Sequence, residues 1–257
     1  MTGLLPRRVL PVLMYHRVGR GSGDPALWIS RQAFRAQLGW IASRGLRTLS
    51  LDEAFAAWTA KGAPPRRVVL LTFDDAFAET VEAVLPELAA RQMRAAVFAP
   101  AGLLGRAVRW QHPVLGAESA SGGGIADEAL LRCWSEAGHG VGSHGLTHSD
   151  LCDRPADEVI HELVESKMRL EALLGRPVPD FCYPFARHDE EARSLVEEAG
   201  YRAAYAGEPP RRDRFAIPRM MVYPHDGEAR FVRKLSGFYY WLAAWHRRLG
   251  RKRRSPR

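Results

Sequence analysis

The feature that most constrains this chain is a short apolar run followed at once by two acids. Residues 68–73 read Val-Val-Leu-Leu-Thr-Phe, and Asp74 and Asp75 come directly after them. Such a run predicts a strand buried on both faces of a parallel sheet, and ligands bind at the carboxyl end of such strands. Because successive strand side chains point to opposite sides, we expect the two carboxylates to serve different groups, a cation and a water. The alternative is that they cap a helix that starts near Phe77.

Strand and helix patterns alternate along the rest of the chain. Further strands are predicted at 9–16, 46–49, 95–99, 138–144, 181–185, 201–205 and 216–222. Helices are predicted at 30–45, from the capping box at Ser50 onward, and at 77–92, 127–137, 157–174 and 189–199. This alternation favours βα units around one parallel sheet, either open or closed into a barrel.

A second group of reactive side chains is the pair His144 and His148, which follows a predicted strand. If these residues form one helical turn, the imidazoles lie about 5–6 Å apart on one face, a spacing suited to binding metal. Two histidines and one carboxylate leave open positions on a divalent cation, as a catalytic site requires. The alternative is a satisfied pair of surface histidines. The small polar residues Ser143, Thr147 and Ser149 are suited to hydrogen bonds that support the ligands.

Charge and cysteine content narrow the class of protein and its location. The net charge is +8, but residues 231–257 hold nine Lys and Arg and no acid, which leaves residues 1–230 with a net charge of −1. A nucleic-acid-binding body would carry a basic stripe of its own, so no nucleic-acid partner is expected. Three cysteines without Cys-x-x-Cys spacing argue against a disulfide framework or a zinc knuckle. With no recognisable signal peptide and no run of roughly 20 apolar residues, the expected location is the cytoplasm.

The C-terminal segment, residues 231–257, is expected to be distinct from a main domain at 1–230. Its apolar residues recur at helical spacing at Phe238, Trp241, Leu242, Trp245 and Leu249. A helix of this kind among many cations suits an anionic membrane surface. The sequence therefore predicts a peripheral contact at the inner face of the membrane, and the alternative is a helix that packs its aromatic residues on the main domain.

Two motifs resemble those of a known family. Residues 72–75 (Thr-Phe-Asp-Asp) and 143–148 (Ser-His-Gly-Leu-Thr-His), in this order and spacing, look like the first two motifs of the polysaccharide deacetylases, the NodB-homology or carbohydrate esterase 4 family. Residues 14–18 (Met-Tyr-His-Arg-Val) are similar to the branch that includes the poly-N-acetylglucosamine deacetylases, whose domain is circularly rearranged. The resemblance covers about residues 9–222 and implies an α/β fold, a single deformed (β/α) barrel of the NodB-homology type.

The resemblance also implies an activity, the hydrolytic removal of N-acetyl groups from sugars of a polysaccharide, an oligosaccharide or a lipid-linked glycan. In the family's scheme Asp75, His144 and His148 hold a divalent metal ion, which we expect to be zinc, and Asp74 is the general base on the attacking water. A zinc-like ion lowers the pKa of its water to about 7. A positioned carboxylate contributes roughly 10²–10⁴-fold in rate.

The chain departs from the family pattern at the third motif and at the general acid. That motif is usually Arg-x-Pro-Tyr, whereas residues 182–185 read Cys-Tyr-Pro-Phe. The missing arginine orients the base in the family, and we expect Arg219 to replace it, with a surface ion pair as the alternative for that residue. The backbone amide of Phe185 matches the position that binds the oxyanion. His16 is expected to be the general acid, as in the rearranged branch, and His225 is the alternative.

Two other functions remain open from the sequence. A glycosidase-type barrel would use Asp74 and a second carboxylate across a sugar, but it leaves His144 and His148 unexplained. The second function is that of a non-catalytic carbohydrate-binding relative, which the absence of the motif arginine would allow. The presence of both acids and both histidines argues against it.

Overall fold

The computed structural model describes residues 10–19, 27–61, 64–108, 123–207 and 213–236. Within these residues the helices are α1 (Arg31–Ser43), α2 (Leu51–Thr59), α3 (Ala78–Ala89), α4 (Glu128–Glu136), α5 (Ala156–Leu174), α6 (Glu190–Glu198) and α7 (Glu228–Leu235). The strands are β1 (Val12–Tyr15), β2 (Arg17–Val18), β3 (Trp28–Ile29), β4 (Arg47–Thr48), β5 (Val68–Phe73), β6 (Ala96–Ala99), β7 (Ala107–Val108), β8 (Gly123–Gly124), β9 (Gly140–Ser143), β10 (Asp180–Cys182), β11 (Ala203–Ala206), β12 (Ile217–Pro218) and β13 (Met220–Met221).

The main sheet is parallel, and its two end strands are neighbours in the chain. Its strand order is β12-β11-β10-β9-β6-β5-β1-β13, and β4 also pairs with β5. The first and last strands of this order, β12 and β13, are separated in the chain by Arg219 alone. The sheet therefore curls until it almost closes on itself. This confirms the expected α/β class and the single deformed (β/α) barrel.

Strand β5 lies inside the sheet and is buried along its whole length, as predicted. Its side chains alternate between two apolar clusters. Val68 and Leu70 join side chains from β1, β6, β10, β11 and β12 in the barrel interior. Val69, Leu71 and Phe73 point the other way, into the layer formed with α1, α3 and α4. The period of two, with both faces apolar, explains why the run lacks polar alternation.

Side-chain caps begin several helices where the sequence predicts them. The Oγ of Ser30 accepts a hydrogen bond from the amide of Ala33 at the start of α1. Ser50 and Glu53 form a complete capping box at the start of α2. Each such cap satisfies amides that the first helical turn leaves without partners, and it contributes about 1 kcal/mol.

Two features differ from the sequence expectation. The predicted strand 181–185 ends at Cys182, and Pro184–Ala186 forms a short 3₁₀ turn instead. Helix α7 spans the expected boundary between 230 and 231, and Phe231 and Leu235 belong to the core. The aromatic part of the tail, from 238 onward, lies outside the described residues. Among the described helices, none combines the length and apolar character needed to cross a bilayer.

Candidate active site

The candidate site lies at one end of the barrel, where the carboxyl ends of the parallel strands meet. Asp74 and Asp75 follow β5, His144 follows β9, His16 follows β1, and Arg219 lies between β12 and β13. The fold thus brings together residues that are far apart in the chain, from His16 to Arg219. Both acids, His144, His148 and Arg219 are buried, and His16 is partly exposed.

Asp75, His144 and His148 form a compact group of possible metal ligands. The Oδ1 atom of Asp75 lies 3.4 Å from Nε2 of His144 and 3.2 Å from Nε2 of His148. The two imidazole rings are 4.9 Å apart between centroids. The reading of this pair as surface histidines is therefore wrong, because both rings are buried against one carboxylate.

The backbone that presents these ligands is not the helical turn that the spacing suggested. Residues 144–148 contain no helix, Gly145 has φ +80°, and His148 has φ +60°. Asp75 also has a left-handed conformation, with φ +70°. The expectation of a helical i, i+4 pair is wrong, because left-handed residues turn the loop so that both rings face Asp75. Residues held in this sparsely populated region cluster at functional sites.

The hydrogen bonding of His144 tests whether the group fits a cation. Its Nδ1 lies 2.7 Å from the backbone oxygen of Cys182. A carbonyl only accepts, so Nδ1 carries the hydrogen, and Nε2 faces the carboxylate of Asp75. Because a carboxylate only accepts, a positive charge belongs between these two atoms, either a proton on Nε2 or a bound cation. This is the arrangement in which a histidine binds metal through one nitrogen and is oriented through the other.

The spacing of the three ligand atoms agrees with that reading. A tetrahedral zinc-like ion with bonds of about 2.0–2.2 Å separates its ligand atoms by about 3.3–3.6 Å. The observed separations from Asp75 are 3.2 and 3.4 Å, longer than the usual 2.7–2.9 Å of a charge-assisted hydrogen bond. The group therefore fits a divalent cation in both donor chemistry and size.

A second possible ligand group consists of Asp74, His144 and Cys182, whose ligand atoms also lie within 4.8 Å of one another. It is the poorer candidate for two reasons. Asp74 is already paired with a buried arginine, and burial raises the pKa of the Cys182 thiol, which opposes the thiolate that metal binding requires.

Asp74 is held by Arg219. The guanidinium donates from Nη1 to Oδ1 at 2.6 Å and from Nη2 to Oδ2 at 2.7 Å, a two-pronged contact. Arg219 also donates to the hydroxyl of Thr72 and to the backbone oxygen of Ala206. Since its side chain is fully buried, the surface ion pair considered for Arg219 is wrong. The reading of the acid pair as a helix cap is wrong too, because the N-cap of α3 is Phe77 and no side chain caps that helix.

Burial and the arginine act in opposite directions on Asp74. Burial alone would raise the pKa of this carboxyl, but the Arg219 guanidinium outweighs it and holds the pKa below its usual range. Cys182, which stands where the family motif has arginine, places its Sγ 3.7 Å from Oδ2 of Asp74. The carboxylate is therefore ionised at neutral pH and fixed in orientation, as a proton acceptor requires.

The two candidate acids occupy different environments. His16 directly follows Tyr15, the last residue of β1, which pairs with Phe73 of β5 just before the two acids. Its electrostatic interaction lowers the pKa of Asp74 and Asp75, after the larger effects of burial and of their direct partners. Its Nδ1 is buried without a hydrogen-bond partner among the described residues. His225 is exposed and stacks on Tyr223 at 5.3 Å. The structure therefore brings His16, rather than His225, to the site.

Phe185 lies at the edge of the ligand group. Its ring centroid is 4.6 Å from that of His148, and its backbone has φ +56°. Sequence reasoning overlooked Glu162 of α5, which accepts hydrogen bonds from the amides of Leu146 and Thr147 in the loop between the histidines. No local pattern distinguishes this glutamate from its neighbours, since its partners lie 15 and 16 residues away.

Comparisons with known proteins agree with this architecture. The family model described as polysaccharide deacetylase matches residues 61–204. A Bacillus subtilis protein named "Putative polysaccharide deacetylase YxkH" is 25% identical over 219 residues, which cover 84% of this chain and 72% of that protein. A poly-beta-1,6-N-acetyl-D-glucosamine N-deacetylase of Staphylococcus aureus is 22% identical over 82% of this chain and 73% of its own length. The deacetylase PplD of Streptococcus pyogenes, solved with acetate, has a similar fold with a TM-score of 0.75 at 20% identity, covering 88% of this chain and 97% of that chain.

Proposed function

This chain belongs to the polysaccharide deacetylase family, and on that premise we propose that it is a metal-dependent hydrolase that removes N-acetyl groups from sugars of a polysaccharide, an oligosaccharide or a lipid-linked glycan. The observation that supports the proposal most strongly is that two adjacent carboxylates have different partners. Asp75 faces two histidines, and Asp74, next in the chain, is fixed by Arg219. The activity named for the Staphylococcus aureus relative supports N-acetylglucosamine as the sugar.

Asp75, His144 and His148 would hold the metal ion, for which zinc is our choice. When bound, the ion would activate a water for attack and polarise the acetyl carbonyl. The side chains supply one carboxylate oxygen and two ring nitrogens, which leaves positions open for water and substrate. His144 keeps its ligand nitrogen aimed at the site because its other nitrogen donates to the backbone of Cys182.

Asp74 would take the proton from the water as its oxygen bonds to the acetyl carbon. The two-pronged contact with Arg219 fixes the orientation of the Asp74 carboxylate and keeps it ionised. Arg219 thereby takes the place of the arginine that the third motif lacks. A base positioned in this way contributes roughly 10²–10⁴-fold.

His16 would give a proton to the sugar nitrogen as the carbon–nitrogen bond breaks, so that acetate and a free amine leave. Its position at the end of β1, next to the end of β5 that carries both acids, supports this role. The backbone amide of Phe185 would donate to the oxygen of the acetyl group as negative charge develops there. The ring contact between Phe185 and His148 keeps that part of the chain next to the ligand group.

The two rival functions lack comparable support. A glycosidase needs a second carboxylate across the sugar, but Asp75 is directed at the histidines. A binding protein that had lost catalysis would not need the buried Arg219–Asp74 pair. Acetate release distinguishes both rivals from a deacetylase.

The test compares Asp75→Ala, His148→Ala and Asp74→Asn with the wild type. Metal content is measured by elemental analysis, and acetate release is measured on oligomeric, polymeric and lipid-linked N-acetylhexosamines. We expect the first two variants to lose metal and activity together, and Asp74→Asn to lose activity while keeping metal. Loss of metal from Asp74→Asn, with metal retained in Asp75→Ala, would require the two roles to be exchanged. Wild-type protein that binds metal and releases no acetate would instead favour a binding protein.

We further propose a cytoplasmic location with the basic tail on an anionic membrane surface. Support comes from the sequence alone, since nine cations accompany the apolar spacing of residues 238–249. Truncation after Gly237 tests it by co-sedimentation with anionic liposomes. Lost co-sedimentation with an unchanged melting temperature supports the membrane contact, and a large drop in melting temperature assigns the aromatic residues to the core.

A further inference from the structure

The loop that carries the two histidines is tied to α5 by one buried carboxylate. Oε2 of Glu162 accepts the backbone amide of Leu146 at 2.8 Å and that of Thr147 at 2.9 Å. The Thr147 hydroxyl donates to Oε1 of the same side chain. Only 7% of Glu162 is exposed. A carboxylate removed from water in this way is satisfied by three donors that all belong to one turn of the loop.

The direction of these hydrogen bonds follows from the groups involved. The single hydroxyl hydrogen of Thr147 goes to Glu162, so the bond between Thr147 and Ser149, at 2.8 Å, has Ser149 as its donor. Among the described residues, no Lys, Arg or His forms an ion pair with Glu162. The loop amides and hydroxyl therefore supply the compensation that a cation would otherwise give.

The loop needs such a support because its backbone is unusual. Gly145 and His148 are left-handed, and His148 has a Cβ that makes this conformation unfavourable. The two amides bound by Glu162 lie between the histidines, so the carboxylate acts on the part of the loop that sets their separation. A Cβ on Gly145 would lie only 3.3 Å from Oε2 of Glu162. This close approach shows how tightly the loop is drawn onto α5.

Helix α5 is a firm base for this contact. One turn further along, Ser166 lies 2.9 Å from the hydroxyl of Ser143 and 3.2 Å from that of Tyr201. Ser143 is the last residue of β9, directly before His144. The same helix thus contacts the side chain that precedes the first histidine and the backbone that follows it.

We propose that Glu162 is a positioning residue for the metal group, setting the location of His148 relative to His144 and Asp75 without contacting the ion. This inference rests on the proposed function, because it assigns Glu162 to the assembly of the metal ligands. Groups that orient metal ligands in this way typically change metal affinity 10–100-fold when they are removed.

The experiment measures metal binding by the full chain after removal of metal with a chelator. The variants are Glu162→Ala and Glu162→Gln, and the matched control is Glu165→Ala, on the same helix, whose side chain pairs with Arg169 at the surface. Three quantities are measured: the Kd for Zn²⁺ by chelator competition, the visible spectrum with Co²⁺, and the rise in melting temperature that Zn²⁺ produces.

We expect Glu162→Ala to bind Zn²⁺ 10–100-fold more weakly, to change the Co²⁺ bands, and to show a smaller Zn²⁺-induced rise in melting temperature. Glu162→Gln keeps an acceptor for the amides but loses the charge, so its Kd rises by about fivefold. Glu165→Ala behaves as wild type.

The outcomes separate this inference from the proposal on which it rests. A wild-type Kd and Co²⁺ spectrum in Glu162→Ala would overturn the inference even if the metal-free variant melts earlier, because that result describes a purely structural role. If Glu162→Ala does not fold, unchanged binding by Glu162→Gln overturns it instead. Failure of the wild-type chain to bind either ion would overturn both the proposed function and this inference.

Discussion

Replacing Arg219 with methionine removes the cation that faces Asp74 while keeping an apolar side chain in the space. Both members of this pair are buried, with side-chain exposures of 0% for Arg219 and 4% for Asp74. The change leaves the Asp74 carboxylate without its two short hydrogen bonds and without a compensating charge. Two effects are expected, one on stability and one on catalysis.

The stability effect follows from the burial of the pair. Removing one partner of a buried ion pair costs about 3–5 kcal/mol, because the remaining charge is left uncompensated. For a domain of this size the melting temperature then falls by roughly 6–20 °C. Without the arginine, the pKa of the buried Asp74 carboxyl rises. Where the carboxyl takes up a proton, the uncompensated charge is removed and the loss of stability is smaller.

The catalytic effect follows from the same change in pKa. A protonated Asp74 accepts no proton from water, so acetate release at neutral pH should fall by up to the 10²–10⁴-fold that a general base contributes. The metal ligands are untouched, and metal content should stay at the wild-type level. Arg219→Lys keeps the charge without the two-pronged geometry, so its acetate release should lie between that of Arg219→Met and that of the wild type.

The assay combines acetate release, metal content and urea unfolding for Arg219→Met and Arg219→Lys. Arg214→Met is the control, because Arg214 pairs with Glu197 at the surface, where both side chains are about half exposed. Such a pair contributes about 0–1 kcal/mol. Acetate release by Arg219→Met within threefold of wild type would refute the reasoning, as would stability within 1 kcal/mol of wild type.

Three more variants test other parts of the molecule. His16→Ala should lower acetate release without loss of metal, whereas His225→Ala, at an exposed ring, should change little; the opposite pattern in a turnover assay would reverse the assignment. Gly142→Ala should lower the free energy of unfolding by about 1–3 kcal/mol, since a Cβ would lie 2.5 Å from Cδ1 of Phe98, and an unchanged urea midpoint would contradict this. Burial raises the pKa of Asp180 to about 6, above an unfolded value of about 3.9. The carboxyl therefore binds its proton more tightly in the folded chain, and its contribution to stability increases as the pH falls from 6 to 4, by about 2 kcal/mol. Asp180→Asn should flatten that part of the stability curve, and parallel curves would rule the effect out.

Features with a local signal were predictable from the sequence. Strand β5 has the predicted bounds, and the caps at Ser30 and Ser50 begin their helices as expected. In each case the deciding interactions join residues within a few positions of one another. The types and spacing of neighbouring residues are therefore enough to predict these features.

The candidate site was predictable in composition but less so in conformation. A spacing of four between His144 and His148 is compatible with a helical turn and with a loop. Of the residues whose left-handed conformation produces the loop, only Gly145 is of a type that indicates this conformation in the sequence. The contact of Arg219 with Asp74 joins residues 145 positions apart. It was expected only because a motif arginine is absent, and Glu162 offered no comparable clue.

The closure of the barrel at Arg219 has a consequence for the order in which the enzyme matures. During synthesis, Asp75, His144 and His148 emerge well before the strands that flank Arg219. A domain generally folds as one unit, so Asp74 gains its arginine only when β12 and β13 complete the sheet. Under the proposed function, a chain that ends before Arg219 would therefore lack the partner of its base.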